Sequence, residues 1–385
     1  MKRNEKPEGE NVEYNVDTLI IGGGPAGISC ALRLSRANVS NIVVEKRSFP
    51  REKLCGGLVT DKTLRKLSEN LGLSREELSD FFCDASDKIR LYRGRELLTD
   101  SKLSPGFHLI KRKDFDNRLV GIYKNLGGVL LENTVCEDID LTEKRAVLSN
   151  GDSVRFRHLV VADGAQSRTR SVLGYKKPKL GFCVETQVPR EKLVRGGEIE
   201  LFFGIVKNGY AWIFPSGDTY CIGLIGRGAQ KFDLLLKDFL ASLGLNPDEC
   251  GIKGAFIPYG YPVKQSGGSD DALLVGDAAG FADPITGEGL YFAMQSGTCA
   301  ADVIIGGGEK IRPEYLKRTA DIFKTIRQGR ILQKIFYRPA MQKAFAKVMR
   351  GKNGFVGFFC DNLVSSYKYP YLRIRKLCRD YKKSK

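Results

Sequence analysis

Histidine is nearly missing from this chain of 385 residues: there are only His108 and His158. Histidine-based triads and histidine metal sites therefore have almost nothing to draw on, and the chemistry has to come from a cofactor. Both histidines stand in strand-like runs, FHLI and RFRHLVV, and read as structural. The ten cysteines contain no CxxC pair. This argues against a zinc site and a disulfide framework, and for reduced thiols in the cytosol. No metal is expected. No apolar run is long enough to span a bilayer. The polar start, MKRNEKPEGENVEYN, lacks the apolar centre of a signal peptide. Tryptophan occurs once, at Trp212. No internal repeat and no low-complexity linker stand out.

Two glycine-rich segments carry most of the information. In the first, Asp17–Ile21 is a short apolar strand, followed by Gly22-Gly23-Gly24-Pro25-Ala26-Gly27, which fits GxGxxG. Ile28–Leu34 continues as a helix, Asn41–Val44 is the next strand, and Glu45 ends it, 18 residues past Gly27. Glycines allow backbone to approach a pyrophosphate at a helix N-terminus, and an acid at this spacing accepts hydrogen bonds from a ribose. The alternative is a βαβ unit with no cofactor. The second segment, Leu273–Gly297, reads as a buried strand (Leu273–Val275), a Gly-Asp turn, a glycine-rich loop and a helix from near Gly287. It sets Asp277 at a strand end and aims a helix N-terminus at the loop. Such a terminus favours negative charge, like that of a reduced flavin at its N1–O2 edge.

Between these segments, Asp61–Leu71 and Arg112–Leu126 read as helices. Gly128–Leu131, Ala146–Leu148 and Leu159–Ala162 read as strands, the last ending in Asp163-Gly164. From about 180 to 264 the pattern turns to alternation in FCVETQV, EIELFF, GYAWIFP and TYCIGLI, four strands of a mostly antiparallel sheet. The expected fold is α/β. A Rossmann-like FAD-binding domain is discontinuous over 14–80, 106–175 and 265–310. A sheet domain for substrate occupies 81–105 and 176–264, and a basic helical region occupies 311–385.

Three motifs in this order, GGGPAG with Glu45, VVADGAQSRTR at Val160–Arg170 and GDAAGFADPITGEG at Gly276–Gly289, resemble the flavoprotein superfamily of aromatic hydroxylases, flavin halogenases and geranylgeranyl reductases. Arg112, opening RxxFD, fits the same pattern. Tyr210-Ala211-Trp212-Ile213-Phe214-Pro215 resembles the YxWxFP box of the geranylgeranyl reductases, and Cys55-Gly56-Gly57 resembles their cysteine-glycine loop beside the flavin. The resemblance covers about residues 14–305. It implies FAD held by Gly22, Gly24, Ala26, Gly27, Glu45 and the Cys55-Gly56-Gly57 loop. It also implies roles for Arg112 at phosphate or ribityl oxygen, Cys136 as backbone to adenine, and Asp163 near the pyrophosphate. Asp277 would meet the ribityl chain, and Gly289 with Leu290 the pyrimidine edge. Asp163-Gly164 reads equally as a plain strand-end turn.

Tyr210, Trp212 and Phe214 share one face of a strand, and Ile199, Leu201 and Phe203 share one on a neighbour. An aromatic-floored sheet against a flavin makes an apolar slot suited to a polyprenyl chain, whose burial is worth about 0.8 kcal/mol per CH2. The implied activity is FAD-dependent reduction of isolated carbon–carbon double bonds in polyprenyl (geranylgeranyl) chains of lipids or isoprenoid diphosphates. Isolated alkenes accept hydride poorly, so a nearby proton donor matters, with Cys55 the first candidate and Tyr210 the second. The alternative is an NAD(P)H-dependent flavin monooxygenase acting on an aromatic or polyketide substrate. No second nucleotide fold is visible, so NAD(P)H would bind transiently, or reduced ferredoxin would serve as donor.

The net charge of +17 is local. Residues 311–385 hold 20 of the 62 basic and 4 of the 45 acidic residues, which leaves the rest of the chain close to neutral. Apolar residues such as Ile322, Phe323, Ile326, Phe345 and Met349 are interleaved with these charges. Gly354–Phe359, three tyrosines (Tyr367, Tyr369, Tyr371) and further cations follow. An apolar wedge with aromatics and cations suggests docking on an anionic membrane surface. The expected location is cytoplasmic and peripherally membrane-associated. Nucleic acid is not an expected partner, because no recognition module accompanies the charge.

Overall fold

Four apolar runs, DTLII, NIVV, HLVV and ALL, lie side by side in a computed structural model that describes residues 11–264, 269–308, 310–338 and 340–343. In chain order the elements are β1 (Glu13–Ile21), α1 (Pro25–Arg36), β2 (Asn41–Val44), β3 (Leu58–Val59), α2 (Asp61–Leu71), β4 (Asp84–Arg93), β5 (Glu96–Leu109) and α3 (Arg112–Asn125). Next come β6 (Val129–Leu131), β7 (Cys136–Asp140), β8 (Arg145–Leu148), β9 (Ser153–Val161), α4 (Arg168–Val172), β10 (Gly181–Pro189), β11 (Ile199–Phe203), β12 (Tyr210–Ser216) and β13 (Thr219–Gly226). The chain continues through α5 (Phe232–Ser242), β14 (Lys253–Ile257), β15 (Ala272–Leu274), α6 (Leu290–Ile305), α7 (Ile311–Arg318) and α8 (Ala320–Phe336).

The first sheet runs β6-β2-β1-β9-β8-β7, with β15 also paired to β9. β6, β2, β1, β9 and β15 are mutually parallel. Their central residues are buried on both faces, which is why they read as unbroken apolar runs and not as alternation. β9 divides its pairing: Ser153–Arg155 bonds β8 antiparallel, while Leu159–Val161 bonds β15 parallel. The first sheet is thus closed by a strand that follows the second sheet in the chain.

The second sheet runs β14-β10-β13-β12-β11-β4-β5-β3. Its pairs are antiparallel except β11 with β4. Alternation splits β12 between two cores. Trp212 and Phe214 join Ile199, Leu109 and Cys221 on one face. Ala211 and Ile213 join Ile222 and Leu224 on the other.

Some expected boundaries shift. The four-strand reading of 180–264 overlooks α5, whose Phe232, Leu236, Phe239 and Leu240 cover the second face of the sheet, and it overlooks β14. KFDLLLKDFL has the helical apolar spacing, but the strands around it dominate the local pattern. β1 starts at Glu13 and β9 at Ser153, earlier than the apolar runs alone suggest, because partners extend the ladder through polar residues. The 311–385 region begins as the helices α7 and α8. Ile322 and Ile326 pack into the nucleotide-domain core, and Phe323 meets Phe281 edge-on at 5.0 Å. The apolar and aromatic tail residues from Phe345 onward lie outside the described residues.

Candidate active site

Parallel neighbours release their loops at the same sheet edge, so four strand ends converge. β1 leads to Gly22, β2 to Glu45, β9 to Asp163 and β15 to Asp277. The loops after β1 and β9 touch: a Cβ at Gly22 (φ +108°) would stand 2.4 Å from the carbonyl oxygen of Ala162, so the approach requires glycine. Glu45 ties this edge together. Its Oε2 accepts from the Gly23 N–H at 2.9 Å, its Oε1 accepts from the Arg47 N–H at 3.2 Å, and its carbonyl accepts from the Thr134 N–H at 3.0 Å. That last bond brings the segment leading to Cys136 beside Glu45. Burial pushes the Cys136 thiol up to about 12.

Behind the glycine loop lies a buried chain of alternating charge. Arg51 sits 3.7 Å from Glu45 and 3.3 Å from Asp116, and Arg112 grips Asp116 with two bonds of 2.7 Å. Burial opposes the charge on Arg112, but the Asp116 carboxylate more than offsets it and holds the guanidinium charged. Arg112, expected at phosphate or ribityl oxygen, lines the site in this pairing. It is an anchored cation on the wall of the site, with Asp116 as its fixed partner. Asp163 gives one oxygen to the Thr169 N–H at 3.2 Å, while its Oδ1 is buried with no partner among the described residues.

Two helix N-termini open on the same space. α1 starts at Pro25 after Gly24, and α6 starts at Leu290 after Gly289. The sequence placed this second start near Gly287. The difference has a cause in Asp283, whose Oδ1 accepts from the Ile285 N–H (2.9 Å), the Thr286 N–H (2.8 Å) and the Thr286 hydroxyl (3.0 Å). Those bonds hold 283–287 as a turn. Glu288 is fixed as well, by Lys62 at 2.6 Å and the Thr63 hydroxyl at 2.7 Å. Helical bonding begins only beyond it, and Asp277 lies directly against Gly289.

These loops line one cavity of about 1500 Å³. Its polar end includes Gly22, Gly24, Ala26, Glu45, Arg112 and Cys136, together with Asp163, Asp277, Gly289 and Leu290. Gly27 lies elsewhere: it is buried in α1 against the carbonyl of Gly22 and sets the helix on its loop. The other end of the cavity is apolar and holds Tyr210, Trp212 and Phe214. Trp212 stacks on Phe214 at 5.9 Å, and Tyr210 lies 6.0 Å from Trp212. α8 closes this end with Leu332, Ile335 and Phe336, and Phe336 meets Phe203 edge-on at 5.4 Å. The cavity role of α8 has no signature in the sequence.

The cysteine-glycine loop joins the two ends. A Cβ at Gly56 would be 3.1 Å from the Phe214 ring and 3.3 Å from Trp212 Nε1, so the loop lies flat on the aromatic strip. Cys55 is exposed and lines the cavity. The Tyr210 hydroxyl donates to the carbonyl of Thr286, and burial pushes its pKa well above the ordinary range. Its proton is committed to backbone. One residue escaped the sequence reading: Glu185 of β10, 4% exposed, accepts from the Cys55 N–H at 3.0 Å. Parity was the available signal, since Glu185 shares the inward phase of Cys183 in FCVETQV.

Comparison with known proteins adds the following. A family model described as pyridine nucleotide-disulphide oxidoreductase matches residues 16–197. An uncharacterised protein of Methanosarcina barkeri is 32% identical over 75% of this chain and 74% of its own length. A menaquinone reductase of Mycobacterium tuberculosis is 27% identical over 76% and 78%. A digeranylgeranylglycerophospholipid reductase of Methanococcus vannielii is 25% identical over 86% and 88%. Among solved structures, a geranylgeranyl bacteriochlorophyll reductase-like protein of Thermoplasma acidophilum superposes with a TM-score of 0.78 at 18% identity, covering 88% of this chain and 92% of that one.

Proposed function

The chain belongs to the geranylgeranyl reductase family of FAD-dependent oxidoreductases, and on that premise we propose that it reduces isolated carbon–carbon double bonds in the polyprenyl chain of a lipid. The observation that carries this reading is the continuity of the dinucleotide cradle and the aromatic slot within one cavity. The cradle fits FAD: it has a ribose-side acid, two free helix N-termini and a buried Asp163 oxygen still lacking a donor. In this reading Glu45 would hold the adenosine ribose, Asp163 and Ala26 would meet the pyrophosphate side, and Asp277 with Gly289 and Leu290 the isoalloxazine side.

When bound and reduced, FAD supplies the hydride. The residues of the chain do the rest. The Tyr210-Trp212-Phe214 strip and Phe203 hold the apolar chain and exclude water, and Cys55 gives the proton that completes the new C–H pair. Electrons would reach the site from NAD(P)H or reduced ferredoxin.

Among the described residues no helix is long and apolar enough to cross a membrane. Phe256, Ile335 and Met341 are exposed on the cavity wall, which also carries the cationic Lys253. That rim supports uptake of a lipid from an anionic bilayer surface, with residues 311–385 adding charge.

The test is anaerobic turnover. Photoreduced protein should convert a geranylgeranyl phospholipid, geranylgeranyl diphosphate or menaquinone to a product heavier by the mass of two hydrogens per bond reduced. No mass gain with any of the three overturns the proposal. Oxygen-dependent product in place of anaerobic product would favour the monooxygenase alternative. Loss of binding to anionic liposomes on removing 344–385 is expected if the tail contributes to docking, and unchanged binding would end that part.

A further inference from the structure

Three strands of the second sheet end at one corner. Gly181, at the start of β10, pairs with Ile257 at the end of β14, and Phe182 pairs with Gly226 at the end of β13. Residues just beyond those ends, Lys179, Arg227 and Tyr261, therefore meet, and α8 lays Arg330 against them. The Tyr261 ring is the centre of the group. Arg330 lies 4.2 Å from its centroid, Arg227 5.1 Å and Lys179 5.9 Å. Arg227 also stands 5.6 Å from the Tyr259 ring. The stem of Arg330 packs on the loop at Gly260, where a Cβ would be 3.3 Å from its Cγ. None of the three cations forms an ion pair or donates a side-chain hydrogen bond among the described residues. Arg51, Arg112 and Arg195, by contrast, each face a carboxylate.

An aromatic face attracts a cation but does not cancel its charge. Three positive groups around one ring repel one another, and the two half-buried guanidinium forks leave their donors unused. The ligand that such a corner favours is a compact anion with several acceptor oxygens, which two guanidiniums can take bidentately; phosphate has that form. The outer side of α8 indicates where the phosphate comes from. Arg327, Ile331, Lys334 and Ile335 follow the i, i+4, i+7, i+8 spacing of one helix face and are all exposed, Ile331 by 58%. Arg330 borders that stripe, and the only acid of the helix is Asp321 at its start. Cations interleaved with bare aliphatic side chains suit the surface of an anionic bilayer.

We propose that Arg227, Arg330 and Lys179, gathered around Tyr261, bind the phosphate of a membrane phospholipid and so seat α8 on the bilayer beside the slot. This rests on the membrane-uptake part of the preceding reading and is independent of the reaction. None of these four residues lines the cavity, so the lipid held here is an anchor and not the substrate. Leu332, Ile335 and Phe336 of the same helix close the slot, so the anchor sets the apolar end of the cavity at the lipid surface.

The test is flotation of the full-length, flavin-loaded protein with phosphatidylcholine vesicles that contain either phosphatidic acid or a charge-matched amount of oleic acid. Wild type should prefer the phosphatidic acid vesicles. The double variant Arg227→Gln with Arg330→Gln should bind them about 10-fold more weakly, with a much smaller loss on the oleic acid vesicles. Lys179→Gln, at an exposed position, should lose less in the same direction, and it decides the matter if the double variant does not fold. Equal losses on the two vesicle types, or no loss on either, overturn the site and reduce the three cations to diffuse surface charge. Inorganic phosphate at constant ionic strength should not release the bound protein; release would make free phosphate the ligand and overturn the lipid assignment. If wild type binds neither vesicle, the docking reading fails and this site with it. Binding that is lost on removing 344–385 but is unchanged in the double variant overturns the site alone.

Discussion

Gly297 of α6 presses on the carbonyl oxygen of Ala26 in α1: a Cβ at position 297 would stand 2.1 Å from that oxygen. The two helices whose N-termini open on the cavity are therefore in direct backbone contact, and their separation is set by the absence of one side chain. Gly297→Ala would gain about 1 kcal/mol in helix propensity. It would lose about 1–3 kcal/mol by overpacking against rigid backbone. The expected net result is a less stable protein with weaker FAD affinity, read as free-flavin fluorescence on dilution. Wild-type retention of FAD would contradict this account of the helix pair.

Trp212 lies over Gly223 of the next strand, where a Cβ would come within 2.4 Å of its Cζ2. Gly223→Ala should tilt the indole into the slot. Because Trp212 is the only tryptophan, its emission reports the shift directly. We expect a changed emission maximum and a raised KM for long chains, with flavin content preserved.

The Arg112–Asp116 pair is buried, and removing one partner strands the other. Arg112→Leu should destabilise the fold by about 3–5 kcal/mol, measured as a lower denaturant midpoint. The double variant Arg112→Leu with Asp116→Leu should recover part of that loss. A loss in the double variant equal to the sum of the Arg112→Leu and Asp116→Leu losses would show that the pair is not coupled.

Burial raises the pKa of three carboxyls, Glu185, Glu200 and Asp283. Each binds its proton more tightly folded than unfolded. Their stabilising contribution is thus complete below the ordinary carboxylate values and is lost as pH rises through the raised ones. Tm should fall with rising pH across that window. Glu200→Gln, at a fully buried position 3.6 Å from Arg195, should flatten the slope. A slope unchanged by that substitution would remove Glu200 from the explanation.

Much of this site is legible locally. GGGPAG, Glu45 and the strand-turn-helix around Asp277 are short-range patterns, and their geometry follows from neighbouring parallel strands. The parity of Tyr210, Trp212 and Phe214 is likewise intrinsic to a strand, and it places all three on the cavity wall. What the sequence hides are contacts between distant segments. Glu185 meets Cys55 across 130 positions. Arg51 bridges Glu45 and Asp116, and α8 reaches the slot only because α7 and α8 fold back over the nucleotide domain. The late start of α6 goes with the turn that Asp283 holds over 283–287, just ahead of the helix. Local hydrophobic spacing carries no record of any of these.

The divided pairing of β9 has a bearing on synthesis. Its second half stays an open edge until Ala272–Leu274 has left the ribosome, long after the GGGPAG segment is available. A nascent chain whose GGGPAG segment is already folded still presents an open, apolar strand edge, the kind of surface that chaperones shield and that sticks to its own copies. Completion of this sheet therefore waits for a three-residue strand that follows the whole inserted sheet.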